Sequence, residues 1–220
     1  MAKQRAPGTG LRRLVSRLLM PDAPIPSTAS SAARWDTEYS SGRWDYLGQL
    51  SELSRFSVLA GYVGHFKPGG SILDVGCGEG VLADRLGPSS FSRYEGVDLS
   101  AVAIDRATRR SRPNTTFTAA DAEVYVPGQT FDTIVFNEVL YLLHEPLRTV
   151  ERYLTALNDR GVLMVSINTA FRGGMAILRQ LKSRCAVLDE TRVTHGHNRW
   201  SWVCTVLSDG REGDRRRGPS

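Results

Sequence analysis

Asp74 is followed at alternate positions by Gly76, Gly78 and Gly80. An acid leading into three such glycines can bind a nucleotide-type cofactor. Glycine lets a ligand approach the backbone, and the free N–H groups of a following helix face it. Two more carboxylates stand downstream. Asp98 comes 18 residues after Gly80 and could accept both hydroxyls of a ribose, and Asp121 could accept the amino group of an adenine.

These residues need strand ends to hold them. Residues 72–75 are an apolar run that reads as a buried parallel strand, and 81–86 read as a helix stopped by Gly87-Pro88. Further strands are expected over 94–98, 115–119, 131–136 and 162–167. Ser100 is placed to cap a helix over 101–110, and Pro146 to open one whose buried face is Leu147, Val150, Leu154 and Leu157. Residues 158–161 read as a turn, and 169–184 as a loop and helix. Before the first strand, Leu50, Leu53, Phe56, Leu59 and Val63 recur at helical spacing. Such alternation demands an α/β fold, doubly wound around a mostly parallel sheet. Residues 187–193 and 200–207, joined by the turn from His195 to Asn198, add a C-terminal antiparallel hairpin. His195 and His197 in that turn read as solvated.

Three segments follow. Residues 1–34 form a basic amphipathic helix, with Leu11, Leu14, Val15, Leu18 and Leu19 on one face, and a Pro/Ser/Ala-rich linker. Residues 35–208 form the domain, and 209–220 a disordered basic tail. The helix over 11–20 is a candidate for peripheral membrane or partner contact. Trp35, Tyr39, Trp44 and Tyr46 cluster ahead of the domain, either as core packing or as a lid over the cofactor pocket.

The net charge is +5, but five of the 28 basic residues lie in residues 1–20, which hold no acid. The remainder carries 23 of each sign, so nucleic acid is not the expected partner. Three cysteines without paired spacing argue against disulfides and against a zinc site, and favour a reducing, cytoplasmic setting.

A dinucleotide fingerprint needs G-x-G-x-x-G, whereas the sixth position here is Val81, which argues against an NAD-dependent oxidoreductase. In order, ILDVGCGEG, YEGVDLS, FTAADAE, FDTIVFNEVLYLL and GVLMVSI resemble the class I S-adenosylmethionine-dependent methyltransferases. The wording EVLYLL, with GRWDYL before it, is similar to small bacterial members, including nodulation-type enzymes that N-methylate a chitooligosaccharide. The resemblance implies a Rossmann-like fold, S-adenosylmethionine as cofactor, and a small-molecule acceptor such as a saccharide or secondary metabolite. It assigns Gly76, Gly78 and Gly80 to the methionine part of the cofactor, with Asp74 on its ammonium group. It matches Asp98 to the ribose, Leu99 and Asp121 with Ala122 to the adenine, and Asn137 to the position facing the methyl group. Arg55 corresponds to an arginine that pairs with the cofactor carboxylate in some members. Acceptor pockets of the family are built from the N-terminal segment, the segment after the fourth strand and the stretch 169–184.

Methyl transfer is an in-line displacement from a sulfonium carbon, so alignment and exclusion of water are the main tasks. Tyr39, Trp44 or Tyr141 could favour that cation with their ring faces. A base is needed when the acceptor atom must lose a proton early, as a sugar hydroxyl must and a neutral amine need not. Residues 138–144 are its expected place. Many small-molecule members carry a histidine there, in E-H-V-P-D-like patterns, where this chain has Leu142, so Tyr141 and His144 are the catalytic candidates. The alternative is a non-catalytic cofactor-binding scaffold acting through its basic N-terminal helix.

Overall fold

A computed structural model describes residues 28–87, 89–196 and 200–209. The expected helix over 11–20, most of the tail, and His197 lie outside the described residues.

Seven strands run β1 Gly69–Val75, β2 Phe91–Asp98, β3 Thr115–Ala119, β4 Phe131–Asn137, β5 Leu157–Asn168, β6 Ala186–Thr194 and β7 Ser201–Ser208. They form one sheet in the order β3-β2-β1-β4-β5-β7-β6. The first five are parallel, and β7 lies antiparallel between β5 and β6. The expected sheet and its terminal hairpin are both present.

Helices cover both faces because apolar residues of each central strand alternate sides. Ile72, Val135 and Met164 point to the side of α2 (Leu50–Phe66) and α3 (Val81–Arg85). Leu73, Ile134, Phe136, Leu163 and Val165 point to the side of α5 (Pro146–Leu154) and α6 (Arg172–Lys182). Helix α4 (Ala101–Arg109) buries Ala103, Ile104 and Ala107, and its cap is the expected one, with Ser100 Oγ accepting from Ala103 N–H at 3.2 Å.

Three local expectations are corrected. The Ser/Ala-rich linker is helical from Thr28: α1 spans Thr28–Ser40 and crosses the boundary expected at 34/35. Alanine-rich sequence favours helix, and docking on α4 holds it there, with Asp36 Oδ1 accepting from Ser100 Oγ at 2.6 Å and Val102 N–H at 3.2 Å. Residues 158–161 are not a free turn but a bulge in β5, because Phe131 pairs with Leu157 and Thr133 with Val162. Asp132 holds it, with Oδ1 accepting from Asn158 at 2.9 Å and Oδ2 from Ser71 N–H at 2.8 Å. The buried face of α5 is Thr149, Val150 and Tyr153, while Leu147 and Leu154 are only partly buried and Leu157 opens β5. Tyr153 packs edge-on to Phe136, at 5.4 Å between ring centres, and outcompetes the leucines for the core.

A Cβ at Gly96, in the middle of β2, would lie 2.6 Å from Phe117 Cδ1 and 2.8 Å from Cys77 Sγ. Gly96→Ala is expected to destabilise the domain by about 1–3 kcal/mol through overpacking. The shift in urea midpoint measures this, and a variant as stable as the parent would mean that the layer under the glycine turn is loosely packed.

Candidate functional site

The turn after β1 demands glycine at two points for two reasons. Gly76 has φ 74° and a Cβ there would sit 2.8 Å from Val139 Cβ, while Gly78 has φ 53° and its Cβ would lie 2.7 Å from the Tyr39 hydroxyl. Backbone and space together exclude other residues. The N–H groups of Gly76 and Cys77 both donate to Val97 O, at 2.7 and 3.0 Å, which ties the turn to β2. Gly80 caps α3.

Asp74 is 1% exposed. The Tyr94 hydroxyl donates to its Oδ2, while Oδ1 is buried and has no hydrogen-bond partner. Burial pushes Asp74 up to about 7, against the opposing Tyr94 hydrogen bond. An orphaned buried acceptor is costly, and a ligand ammonium would satisfy it. Asp98 is clasped by backbone: Ser100 N–H donates to Oδ1 and Gly78 N–H to Oδ2, each at 2.9 Å. Burial raises its pKa and these two donors oppose the rise. The carboxylate of Asp121 accepts Glu123 N–H at 2.8 Å. With Leu99 and Ala122, these acids line one cavity of about 650 Å3, which the turn at Gly76 and Gly78 also borders.

Asn137, the last residue of β4, borders the same cavity. Its Oδ1 accepts from Ser166 Oγ at 2.6 Å and from Arg55 Nη1. Arg55 is 1% exposed and its Nη2 donates to Glu52 at 2.9 Å. It therefore reaches the cavity wall, but with its terminal nitrogens bonded to Asn137 and Glu52. A ligand carboxylate would have to displace one of them.

The two catalytic candidates divide. His144 sits at the rim with its Nδ1 2.7 Å from Glu123 Oε2, beside the Asp121-Ala122 end. Tyr141 lies deeper, stacked on Phe171 at 4.4 Å between ring centres, and its hydroxyl donates to Glu138 Oε2 at 2.9 Å. Burial first, and then the charge of Glu138, hold that phenol well above its ordinary pKa, so Tyr141 is a proton-bearing donor and not a base. The carboxyl that accepts this hydrogen bond is Glu138. Burial pushes it up to about 7, against the pull of Arg55 and the Tyr141 hydrogen bond. Sequence reasoning passed over it, although an acid directly after the asparagine that ends an apolar strand was a usable signal.

Trp35, Tyr39, Trp44 and Tyr46 all line the cavity. Ring contacts run from Trp35 to Trp44 (5.6 Å), Trp44 to Tyr46 (6.0 Å) and Tyr46 to Trp200 (5.9 Å), so the cluster walls the cavity and joins the start of β7. Nothing in the sequence around Trp200 pointed there.

A raised carboxyl pKa disfavours the ionised native state. The fold holds a proton on Glu138 that the unfolded chain releases above its ordinary value of 4.5. Stability contributed by this group is therefore full at low pH and lost as pH climbs from 4.5 to about 7. Glu138→Gln, neutral throughout, is expected to gain stability over the parent by on the order of 2 kcal/mol between pH 5 and pH 8. Urea unfolding at the two pH values gives the difference, and a constant gap between the proteins would mean that Glu138 titrates normally.

A family profile described as a methyltransferase domain matches residues 46–201. The ubiquinone biosynthesis O-methyltransferase of Albidiferax ferrireducens is 27% identical over 165 residues, 70% of this chain. The chain spans 61% of the length of that relative. Among solved structures, the N-methyltransferase NodS from Bradyrhizobium japonicum WM9, in complex with S-adenosyl-L-homocysteine, superposes with a TM-score of 0.68 at 20% identity, over 80% of this chain and 99% of that one. Magnesium protoporphyrin IX methyltransferase from Synechocystis PCC 6803, with bound S-adenosylmethionine, gives a TM-score of 0.64 at 15% identity, over 86% and 100%. At these identities the structural likeness carries the fold.

Proposed function

The chain belongs to the methyltransferase domain family, and on that premise we propose that it transfers a methyl group from S-adenosylmethionine to an oxygen or nitrogen of a small-molecule acceptor, of the saccharide or secondary-metabolite kind. The observation that carries this reading is one cavity of about 650 Å3 lined by carboxylates from three successive strand ends, with the Asp74 oxygen left unpartnered among them.

The residues present fit the cofactor. Asp74 would take its ammonium group, and the backbone at Gly76, Gly78 and Gly80 would pack along its methionine part. Asp98 would hold the ribose hydroxyls, and Leu99, Asp121 and Ala122 the adenine. When bound, S-adenosylmethionine supplies a methyl group on a positively charged sulfur, activated for displacement. The aromatic run from Trp35 to Trp200 supports exclusion of water from the transfer position. The similar proteins include both an O- and an N-methyltransferase, so they leave the acceptor atom open. Cys77, Cys185 and Cys204 are buried free thiols, which supports a reducing, cytoplasmic setting. No helix among the described residues is long and apolar enough to cross a membrane.

Calorimetric titration of the full chain with S-adenosylmethionine, S-adenosylhomocysteine and NAD tests the reading. Roughly micromolar binding of the two sulfur ligands is expected, weakened at least tenfold in Asp98→Ala by loss of charge-assisted hydrogen bonds. Their ammonium group needs ionised Asp74, so affinity should hold above pH 7 and fall by up to tenfold per unit below it. Binding of NAD alone, or an Asp98→Ala variant with undiminished affinity, would sink the proposal.

A further inference from the structure

We propose that Glu138 receives the acceptor, and that this acceptor is a protonated amine, which makes the protein an N-methyltransferase; the inference deepens the methyl-transfer reading above and rests on it.

The backbone supplies the first argument. Glu138 has φ 63°, a left-handed conformation that strains a residue with a Cβ, by on the order of 1 kcal/mol. Glycine would relieve it, yet a glutamate stands there, directly after the strand end that borders the cavity. The bend is held by Glu138 N–H donating to Ser166 O at 3.2 Å.

The second argument is charge. Glu38 faces Arg34 and Arg43, Glu52 faces Arg55, and Glu79 faces Arg106 and Arg110. No ion pair joins Glu138 to a cation among the described residues. Arg55 lies near enough to stabilise its charge, but the hydrogen bonds of that guanidinium go to Glu52 and Asn137. Tyr141 occupies Oε2, the Ser166 hydroxyl makes a long contact of 3.5 Å with Oε1 and is itself bound at 2.6 Å to Asn137, and the Asn168 backbone N–H also supports the carboxylate, so all its donors are neutral. Four cavity carboxylates, Asp74, Asp98, Asp121 and Glu138, have no ion pair among the described residues, and of these Glu138 is the one beyond Asn137, away from the end expected for the cofactor. An anionic acceptor would meet carboxylates there and, among the described residues, no arginine without an acidic partner. A neutral one would leave Glu138 uncompensated. An ammonium satisfies it, and the rings of Tyr46, Tyr141 and Trp200 offer faces that favour a cation.

The chemistry balances. The ammonium gives one proton to a Glu138 oxygen, and the freed nitrogen lone pair forms the bond to the methyl carbon. The carbon–sulfur bond breaks with its electrons going to sulfur, leaving a neutral thioether and a protonated N-methylamine. Burial places Glu138 near 7, suited to taking that proton at neutral pH. The groups facing it are Arg55 and Glu52 from α2, Tyr46 before α2, Tyr141 after β4, Ser166 and Asn168 from β5, and Cys204 from β7. Burial raises Tyr46, Tyr141 and Cys204, so they stay neutral at physiological pH, and the Glu52 charge is bonded to Arg55.

Sinefungin carries an amine-bearing carbon in place of the methyl-bearing sulfur, so its ammonium reports on the transfer position without any acceptor. Calorimetry on the full chain would compare sinefungin, S-adenosylmethionine and S-adenosylhomocysteine, in the parent and in Glu138→Gln. At pH 8 the parent should prefer sinefungin over S-adenosylhomocysteine by on the order of tenfold. That preference should fade in the parent below pH 7 and be absent in Glu138→Gln, whose S-adenosylhomocysteine affinity should match the parent. Asp74 contacts all three ligands alike and cancels from the ratio. Should the variant misfold, the pH profile of the parent still decides. A preference that survives in Glu138→Gln or ignores pH overturns the inference. So does an equal loss of preference for S-adenosylmethionine, which would tie Glu138 to the sulfonium. Absence of S-adenosylhomocysteine binding in the parent would instead remove the methyl-transfer reading itself.

Discussion

The register of β1 against its two parallel neighbours is the constraint on which the site depends. Asp74 pairs with Gly96 and with Val135, and Val75 pairs with Val97 and Phe136. One residue beyond those pairs, Gly76 turns out of the sheet beside Asp98 and Asn137, the last residues of β2 and β4. A slip of one residue would turn every side chain to the opposite face and send Asp74 into an apolar layer. Alternation of Ile72 and Leu73 between two separate cores forbids that slip, so burial of aliphatic side chains is what aligns the polar ones. Gly96 is part of the same arrangement, because only a residue without a side chain lets Phe117 and Cys77 close under the turn.

Electrostatics then works against the packing. The sheet carries the Asp74 carboxyl into a site that is 1% exposed, and β4 hands its chain to Glu138 in a strained conformation. Both carboxyls are raised towards neutrality by burial in the free protein. Each is a cost to the fold that a ligand cation would offset, and such binding would couple to proton release at both ends of the cavity. A purely structural core would replace such groups with apolar ones. Here hydroxyl donors from Tyr94 and Tyr141 tether each acid without neutralising it.

Much of this was legible because the signals are local. Short continuous apolar runs and β-branched residues located the parallel strands, residues 115–119 to the residue, and Ser100 marked its helix start. The acids at the ends of β1, β2 and β3 were legible for the same reason, since each lies within two residues of the end of its own strand. What escaped depends on partners remote in sequence. Thr28–Ser40 is a helix through contacts between Asp36 and α4, some 64 residues away, so a Ser/Ala-rich composition alone suggested a linker. The bulge at 158–161 exists because Asp132 reaches across from β4 to Asn158. Tyr153 displaced the leucines from the face of α5 because a ring fits against Phe136, which periodicity does not weigh. Glu138 was not singled out beside Tyr141 and His144, since the tuning of a carboxyl comes from burial and from Tyr141 itself, neither of which a residue type reveals.

The same division separates the two halves of the cavity. The end with Asp74, Asp98 and Asp121 is assembled from consecutive strand ends, and its geometry follows from sheet register alone. The opposite end draws on α1, the segment before α2, the turn after β4, Phe171 before α6 and Trp200 before β7, joined by ring contacts rather than backbone pairing. Ring stacking tolerates substitution more readily than a hydrogen-bonded ladder does, so that half can change shape while the sheet stays intact. Arg55 crosses the divide, binding Asn137 on one side and Glu52 on the other while its guanidinium lies 4.4 Å from the centre of the Phe56 ring. Locked there by two polar partners and an aromatic face, it works as a strut that fixes Asn137, and its charge is the positive centre against which the neighbouring Glu52 and Glu138 are set.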